Sequence, residues 1–183
     1  TNFQSMYDFI RSNIFLIDTL ICSVGYLLTL RLFDSHIRST EPTAFGWIIA
    51  IICYEPFWSF LSLYYFNYAS SEINWEKWLQ GSFWYPLWGS AILILLGIYV
   101  AATIIFGLRF SNLTHRGIIT NGPYRWSKHP AYICKNLSYW LVAVPWISHQ
   151  GFFEAIHNCT LLLLVNGIYY WRAKTEERHL SKD

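Results

Sequence analysis

Residues 83–108 read Phe-Trp-Tyr-Pro-Leu-Trp-Gly-Ser-Ala-Ile-Leu-Ile-Leu-Leu-Gly-Ile-Tyr-Val-Ala-Ala-Thr-Ile-Ile-Phe-Gly-Leu, with no charged side chain anywhere in the run. A helix needs about 20 mostly apolar residues to cross the hydrocarbon core. In lipid, every backbone amide must also be satisfied inside the segment itself. The stretch therefore reads as a transmembrane helix, and residues 14–32, 44–66, 131–148 and 155–171 meet the same demand. The expectation is an all-α, polytopic membrane protein of about five transmembrane helices. Only a turn around His149, Gln150 and Gly151 separates the last two, so they read as a tight antiparallel hairpin.

Composition agrees with a lipid solvent. The chain is 54% hydrophobic, 20% aromatic and only 13% charged, against about a quarter charged residues in soluble domains. A net charge of +2 without a basic tract excludes a nucleic-acid partner. Cys22, Cys53, Cys134 and Cys159 all lie in apolar stretches with no metal-binding spacing, so they read as small buried hydrophobes and no metal site is expected. No signal-peptide pattern precedes the first apolar stretch, and the chain starts at Thr1 rather than Met, consistent with a further upstream piece.

Orientation follows from where the cations lie. With five spans, the connection after the first, the connection after the third and the tail share one side, and they hold ten of the 13 Lys and Arg residues. By the positive-inside rule that side is the cytoplasm. Arg109, Arg116, Arg125 and Lys128 come from the loop; Arg172, Lys174, Arg178 and Lys182 come from the tail. Trp75, Trp78, Trp84, Trp88, Trp126 and Trp146 crowd the span ends as headgroup-level anchors. No repeat or linker divides the chain, so it reads as one membrane domain, 1–183. Three transmembrane helices fill 1–108, a cytosolic loop 109–130, a helical hairpin 131–171 and a cytosolic tail 172–183.

Chemistry concentrates in the loop. Residues 114–132 run Thr-His-Arg-Gly-Ile-Ile-Thr-Asn-Gly-Pro-Tyr-Arg-Trp-Ser-Lys-His-Pro-Ala-Tyr, polar and basic with no acid at all. Asn121-Gly122-Pro123 signals a turn. Pro130 suits the first position of a helix, which makes His129 its cap. An anion can sit at such a helix start beside Arg125, Lys128 and His129; contact with anionic lipid headgroups is the plainer use of the same cations. His129, Tyr132 and Asn136 share one helical face. The tail, from Tyr169 to Leu180, continues the last span as a charged helix, with Arg172 and Glu176 spaced to pair. The hairpin brings Glu176 and Glu177 beside the loop, and the two polar segments together define one cytosolic pocket.

The motif Gly117-Ile-Ile-Thr-Asn-Gly-Pro-Tyr-Arg-Trp-Ser-Lys-His-Pro-Ala-Tyr132, followed by a hairpin and by Arg172-x-x-x-Glu176-Glu177-x-x-Leu180, resembles the isoprenylcysteine carboxyl methyltransferase and phospholipid methyltransferase superfamily. The likeness spans about residues 107–180. It implies S-adenosylmethionine as cofactor, bound on the cytosolic face, with a lipidic or other hydrophobic acceptor arriving from the bilayer and membrane lipids as neighbours. Carried over by position, the cofactor residues are Gly122, Tyr124, Arg125, His129, Tyr132, Arg172, Glu176 and Glu177. The residue types suit such a cofactor: cations for its carboxylate, acids for its ammonium and aromatic faces near its sulfonium.

Many relatives continue His-Pro-x-Tyr with x-Gly-Glu, whereas here the chain reads Ile133-Cys134-Lys135. An ionisable group at membrane depth is a functional suspect, so Lys135, Asn136 and the intramembrane Glu55 are the candidate catalytic residues. Lys135 either meets an acidic acceptor or snorkels to the headgroups, and Asp18 is a further intramembrane acid. An isoprenylated protein C-terminus, a phospholipid amine and a small hydrophobic acid all fit a site open to lipid, and no oligomeric state is implied. Two other readings compete: a sterol-reductase-like, NADPH-dependent membrane reductase, and a non-catalytic membrane subunit that keeps the fold.

Overall fold

The computed structural model describes residues 2–68 and 74–181; Lys182 lies outside them. The chain is mostly helical, as expected. Helix α1 covers Asn2–Leu27, α2 Ala44–Ile52, α3 Phe57–Tyr64, α4 Trp75–Leu79, α5 Trp84–Phe106, α6 Pro130–Ala143 and α7 Phe152–Leu180. Two short strands, β1 (Ser39–Thr40) and β2 (Thr114–His115), pair antiparallel and join the connection after α1 to the loop after α5. Three helices, α1, α5 and α7, are long and apolar enough to cross a membrane, and α2 with α3 forms a fourth such element if the bent pair is one span.

The apolar run that opened the sequence reading becomes α5 almost residue for residue. Elsewhere local chemistry shifts the expected boundaries. Helix α1 begins twelve residues before the expected span, because Phe3 and Tyr7 pack on Trp75 and Tyr85 and turn an amphipathic stretch into buried structure. The second stretch is not one straight helix: it breaks after Ile52 and resumes at Phe57 with a 67° bend. Pro56 lacks the amide that a continuing helix needs and disfavours helical geometry in the residue before it. The fourth stretch is a helix of only 14 residues, about 21 Å long at 1.5 Å per residue and so shorter than the roughly 30 Å core. Val144 stops it in a left-handed conformation, φ 40°, directly before Pro145. Helix α7 runs 29 residues, about 44 Å, so span and charged tail are one continuous helix.

Helices α1, α5 and α7 run parallel, since their C-terminal ends meet. Arg116 donates to the Gly25 carbonyl at 2.7 Å, closing the end of α1 against the loop after α5. The α2–α3 pair and α6 return the chain between them. At the opposite end, Trp78 packs edge-on against Trp88 and Trp146, tying α4, the start of α5 and the segment after α6. One core joins Tyr7, Ile14, Trp75, Ile92, Leu96, Val100 and Val144; a second surrounds Leu162, Val165 and Tyr169 of α7 with Trp58, Tyr132 and Tyr139. Phe9, Leu16 and Leu20 of α1, Ile94 and Ile98 of α5, and Leu163 and Leu164 of α7 face outward, the pattern of helices solvated by lipid tails rather than water.

Without a hydrophobic force between helices in lipid, polar contacts act as glue. Between α6 and α7 that glue is a short ladder. Trp140 Nε1 donates to Asn166 Oδ1 at 2.8 Å, Asn166 Nδ2 to Asn136 Oδ1 at 2.7 Å, and Asn136 Nδ2 to the Tyr132 carbonyl at 2.8 Å. Replacing Asn166 with Leu leaves an indole N–H and an amide oxygen without partners. It is expected to cost about 1–2 kcal/mol in reversible unfolding from mixed micelles. Adding Trp140→Phe to that variant is expected to cost less than the sum of the single changes.

Candidate active site

The loop between α5 and α6 is shaped before it is charged. Gly122 sits at φ +58°, a left-handed conformation that favours glycine, and a Cβ there would fall 2.3 Å from Ile105 Cδ1, so any larger residue would also have to push the end of that side chain aside. A 3-10 turn over Gly122–Arg125 follows, and Tyr124 packs edge-on against Phe106 with ring centroids 5.2 Å apart. Burial first, then the nearby Glu176 charge, push the Tyr124 hydroxyl well above its usual range, so it remains protonated at neutral pH. His129 occupies the cap position of α6, as expected, yet its side chain makes no capping bond. Its ring turns instead to the tail.

There the expected pairing of loop and tail is formed. His129 Nε2 lies 3.2 Å from Glu177 Oε1, and His129 Nδ1 lies 3.7 Å from Glu176 Oε2. The Tyr132 hydroxyl donates to Glu176 Oε1, which also accepts from Arg172 Nε at 3.4 Å. The His129 and Tyr132 rings stack 5.5 Å apart, within 3° of parallel. Lys174 holds Glu177 from the outer side at 2.9 Å. Five of the eight expected cofactor residues thus form one hydrogen-bonded cluster. Tyr124 borders it, Gly122 shapes the loop behind it, and Arg125 is exposed with no ion pair among the described residues.

The three candidate catalytic residues do not converge. The Asn136 amide is committed to the ladder between α6 and α7. Lys135 points its ammonium at the faces of Tyr99, 5.4 Å away, and Tyr169, 5.8 Å away, between α5 and α7 rather than out to the headgroups. Glu55 sits at the α2–α3 break, accepts from the Ser59 amide at 3.2 Å and lines a cavity of about 230 Å³ together with Tyr26, Ile51, Tyr54, Phe57 and Asn112. A larger cavity, about 410 Å³, lies beside the end of α5 between Phe33, Arg109 and the 118–121 segment, and the His129 cluster does not line it. Asp18 accepts from Tyr99 at 2.5 Å and Thr103 at 2.8 Å.

Of the loop cations that also suit headgroup contact, Arg116 is buried against α1 and Arg109 is bound to Asp34 at 2.5 Å. Hydrogen bonding to Arg38, aided by the Arg109 charge, holds the Asp34 carboxyl below the usual range.

Several site residues carry no local signal in the sequence. Arg172 is only 3% exposed, and its Nη2 donates to Asn112 Oδ1 at 2.7 Å and to the Tyr54 hydroxyl at 3.0 Å. Tyr54 directly precedes the Glu55-Pro56 pair that marks the break; Asn112 sits in an uncharged stretch just ahead of the motif. Glu41 and His179 form a latch at the end of the tail. Glu41 accepts from the Thr43 amide at 3.1 Å and lies 3.8 Å from Arg178 and 3.9 Å from His179 Nδ1, while His179 Nε2 meets Ser39 Oγ at 2.9 Å.

Long outward-apolar helices that gather acids, cations and aromatic rings at one shared end define an integral membrane protein with a polar site at the lipid boundary. Residues 88–182 match the model of the isoprenylcysteine carboxyl methyltransferase (ICMT) family, and the chain belongs to that family. It is therefore a membrane methyltransferase of this type, which sets the reductase resemblance aside. No curated protein and no solved structure matches the chain.

The Glu41 latch holds the turn of α7 that follows Glu176 and Glu177. Replacing Glu41 with Leu is expected to speed hydrogen exchange of the 175–181 amides by about 10-fold while leaving α5 unchanged, as read by mass spectrometry in detergent. Equal exchange in both proteins would show that the tail is held by other contacts.

Proposed function

We propose that this chain transfers the methyl group of S-adenosylmethionine to a lipidic or membrane-partitioned acceptor, at a site on the cytoplasmic side. The observation that carries the reading is the joining of His129 and Tyr132 at the start of α6 with Arg172, Glu176 and Glu177 near the end of α7. S-adenosylmethionine, when bound, supplies an electrophilic methyl on a sulfonium flanked by an amino acid and an adenosine. The donor set fits that group: acids for an ammonium, Arg172 and Arg125 for a carboxylate, and the Tyr132, Tyr124 and His129 rings for a cation's flank. Among the described residues Arg172 is held through its Nε and Nη2, by Glu176, Tyr54 and Asn112.

The chain's own part in such a displacement is positioning. Holding donor and acceptor in line turns a bimolecular step into an effectively unimolecular one. Asn136 acts through Tyr132, whose carbonyl it binds, and Lys135 lies beneath the aromatic layer of Tyr169 and Tyr132, which favours an acceptor with an acidic or strongly polar end. Glu55, on the wall of the 230 Å³ cavity, is the group placed to take a proton if the acceptor must lose one. The apolar walls of that cavity, Ile51 and Phe57 among them, favour a hydrocarbon chain.

One membrane domain with five crossings suits this arrangement: α1, the α2–α3 pair, α5, α6 with the 144–151 segment, and α7. The shared end of α1, α5 and α7, rich in Lys and Arg, then faces the cytoplasm.

Calorimetry on the purified, detergent-solubilised protein tests the reading. S-adenosylmethionine is expected to bind, and His129→Ala and Glu176→Ala are each expected to weaken it by about 10-fold or more, the size of a lost charge-assisted hydrogen bond. No binding to the unaltered protein would sink the proposal; binding indifferent to both changes would move the site elsewhere.

A further inference from the structure

A buried arginine is ordinarily matched to a carboxylate, because an unpaired guanidinium costs several kcal/mol in a low-dielectric site. Arg172 departs from that pattern at one of its two ends. Its Nε faces Glu176 at 3.4 Å, a long contact. Its Nη2, by contrast, is held at 2.7 and 3.0 Å by two neutral oxygens, Asn112 Oδ1 and the Tyr54 hydroxyl. The guanidinium plane lies between aromatic faces, 5.0 Å from the Tyr54 ring and 5.2 Å from the Tyr132 ring.

Asn112 is the hub of the neutral side. Its Oδ1 accepts from both Arg172 and Tyr54, and its Nδ2 donates to the Tyr26 hydroxyl, so one amide ties α1, the α2–α3 break and α7. The backbone that carries it is held on both sides: the Glu41 amide donates to the Leu113 carbonyl at 2.8 Å, and a Cβ on Gly25 would lie 3.1 Å from both the Gly107 carbonyl and Phe110. A side chain this well anchored fixes whatever binds to it. Because it is neutral, it does so without cancelling a charge.

We propose that Asn112 is a positioning residue: it locks the Arg172 guanidinium through a neutral acceptor, so that the charge stays available to the carboxylate of a ligand. This deepens the methyltransferase reading and rests on it for the ligand, but not for the lock. A carboxylate reaches the site from two sources, the amino acid end of the cofactor or an acidic acceptor. Asn112→Leu removes the lock. Asn112→Asp keeps an oxygen for Arg172 and Tyr54 but adds a negative charge, which a purely structural role would tolerate.

Three measurements on the detergent-solubilised full chain separate the outcomes. Proton exchange of the Arg172 guanidinium, followed by nitrogen-15 NMR, is expected to rise about 10-fold or more in Asn112→Leu and to stay slow in Asn112→Asp; unchanged exchange in the Leu variant overturns the lock. Asn112→Asp is then expected to lose about 10-fold or more in one of two assays. A loss in calorimetric affinity for S-adenosylhomocysteine puts the carboxylate on the cofactor. A loss in turnover of an N-acetylated isoprenylcysteine at saturating S-adenosylmethionine, with that affinity kept, puts it on the acceptor. If the Asp variant matches the unaltered protein in both, the charge is not used and the proposal falls. Failure of the unaltered protein to bind the cofactor or its product overturns the methyltransferase reading and the ligand role together, while the exchange result still judges the lock.

Discussion

A guanidinium cannot be buried near the end of a membrane helix without partners, and the end of the structure where α1, α5 and α7 meet is arranged around that requirement at Arg172. Removing the charge from water costs several kcal/mol, which only well-placed hydrogen bonds offset. The partners come from four separate parts of the chain: Glu176 from the same helix, Tyr54 from the α2–α3 break, Asn112 from the loop after α5, and the Tyr132 ring from the first turn of α6. Each carries its own element with it. The break after Ile52 thereby gains a purpose, since the same two residues that interrupt the helix, Glu55 and Pro56, follow the tyrosine whose hydroxyl reaches the guanidinium.

The acids answer a second requirement. Glu176 and Glu177 are adjacent like charges on one helical turn, which repel unless hydrogen-bond donors and cations offset them. His129 sits between them, Arg172 backs the first and Lys174 the second. Loop and tail are therefore mutually dependent. The loop, which has no acid between residues 114 and 132, brings the His129 ring, and the tail brings the two carboxylates that meet it. The 14 residues of α6 and the turn after it set the distance at which they meet.

How much of this is legible in the sequence divides by the range of the interaction. Apolar periodicity is local, so α5 and α7 can be read directly, as can the pairing of Arg172 with Glu176 at four-residue spacing. The meeting of loop and tail is legible too, because only the short α6 and the segment after it separate the two in sequence, and His129 and Tyr132 do reach Glu176 and Glu177. Boundaries fail where tertiary packing overrides local pattern: the polar face of residues 2–13 hides the start of α1, and Val144-Pro145 ends α6 inside a stretch that still looks apolar. The neutral partners of Arg172 are illegible for a deeper reason. Tyr54 and Asn112 lie 118 and 60 residues from it, and an uncharged tyrosine or asparagine near a span end carries no mark of the cation it will bind.

Lys135 shows how the same electrostatic constraint acts deeper in the bundle. A lone ammonium one turn inside a helix of this kind would have to snorkel outward, yet this one rests between the rings of Tyr99 and Tyr169. The Tyr99 hydroxyl is bound to Asp18, which Thr103 also holds. Cation, aromatic ring and carboxylate thus form a chain across α6, α5 and α1. Tyr99 lets the acid and the base occupy one apolar layer without direct contact, because its negative ring face receives the ammonium while its positive hydroxyl end serves the carboxylate. A base at position 135 and an acid at position 18 are therefore a coupled choice. Removing either leaves the other's charge uncompensated in that layer, so Lys135 and Asp18 are accommodated by the layer as a whole rather than by either residue alone.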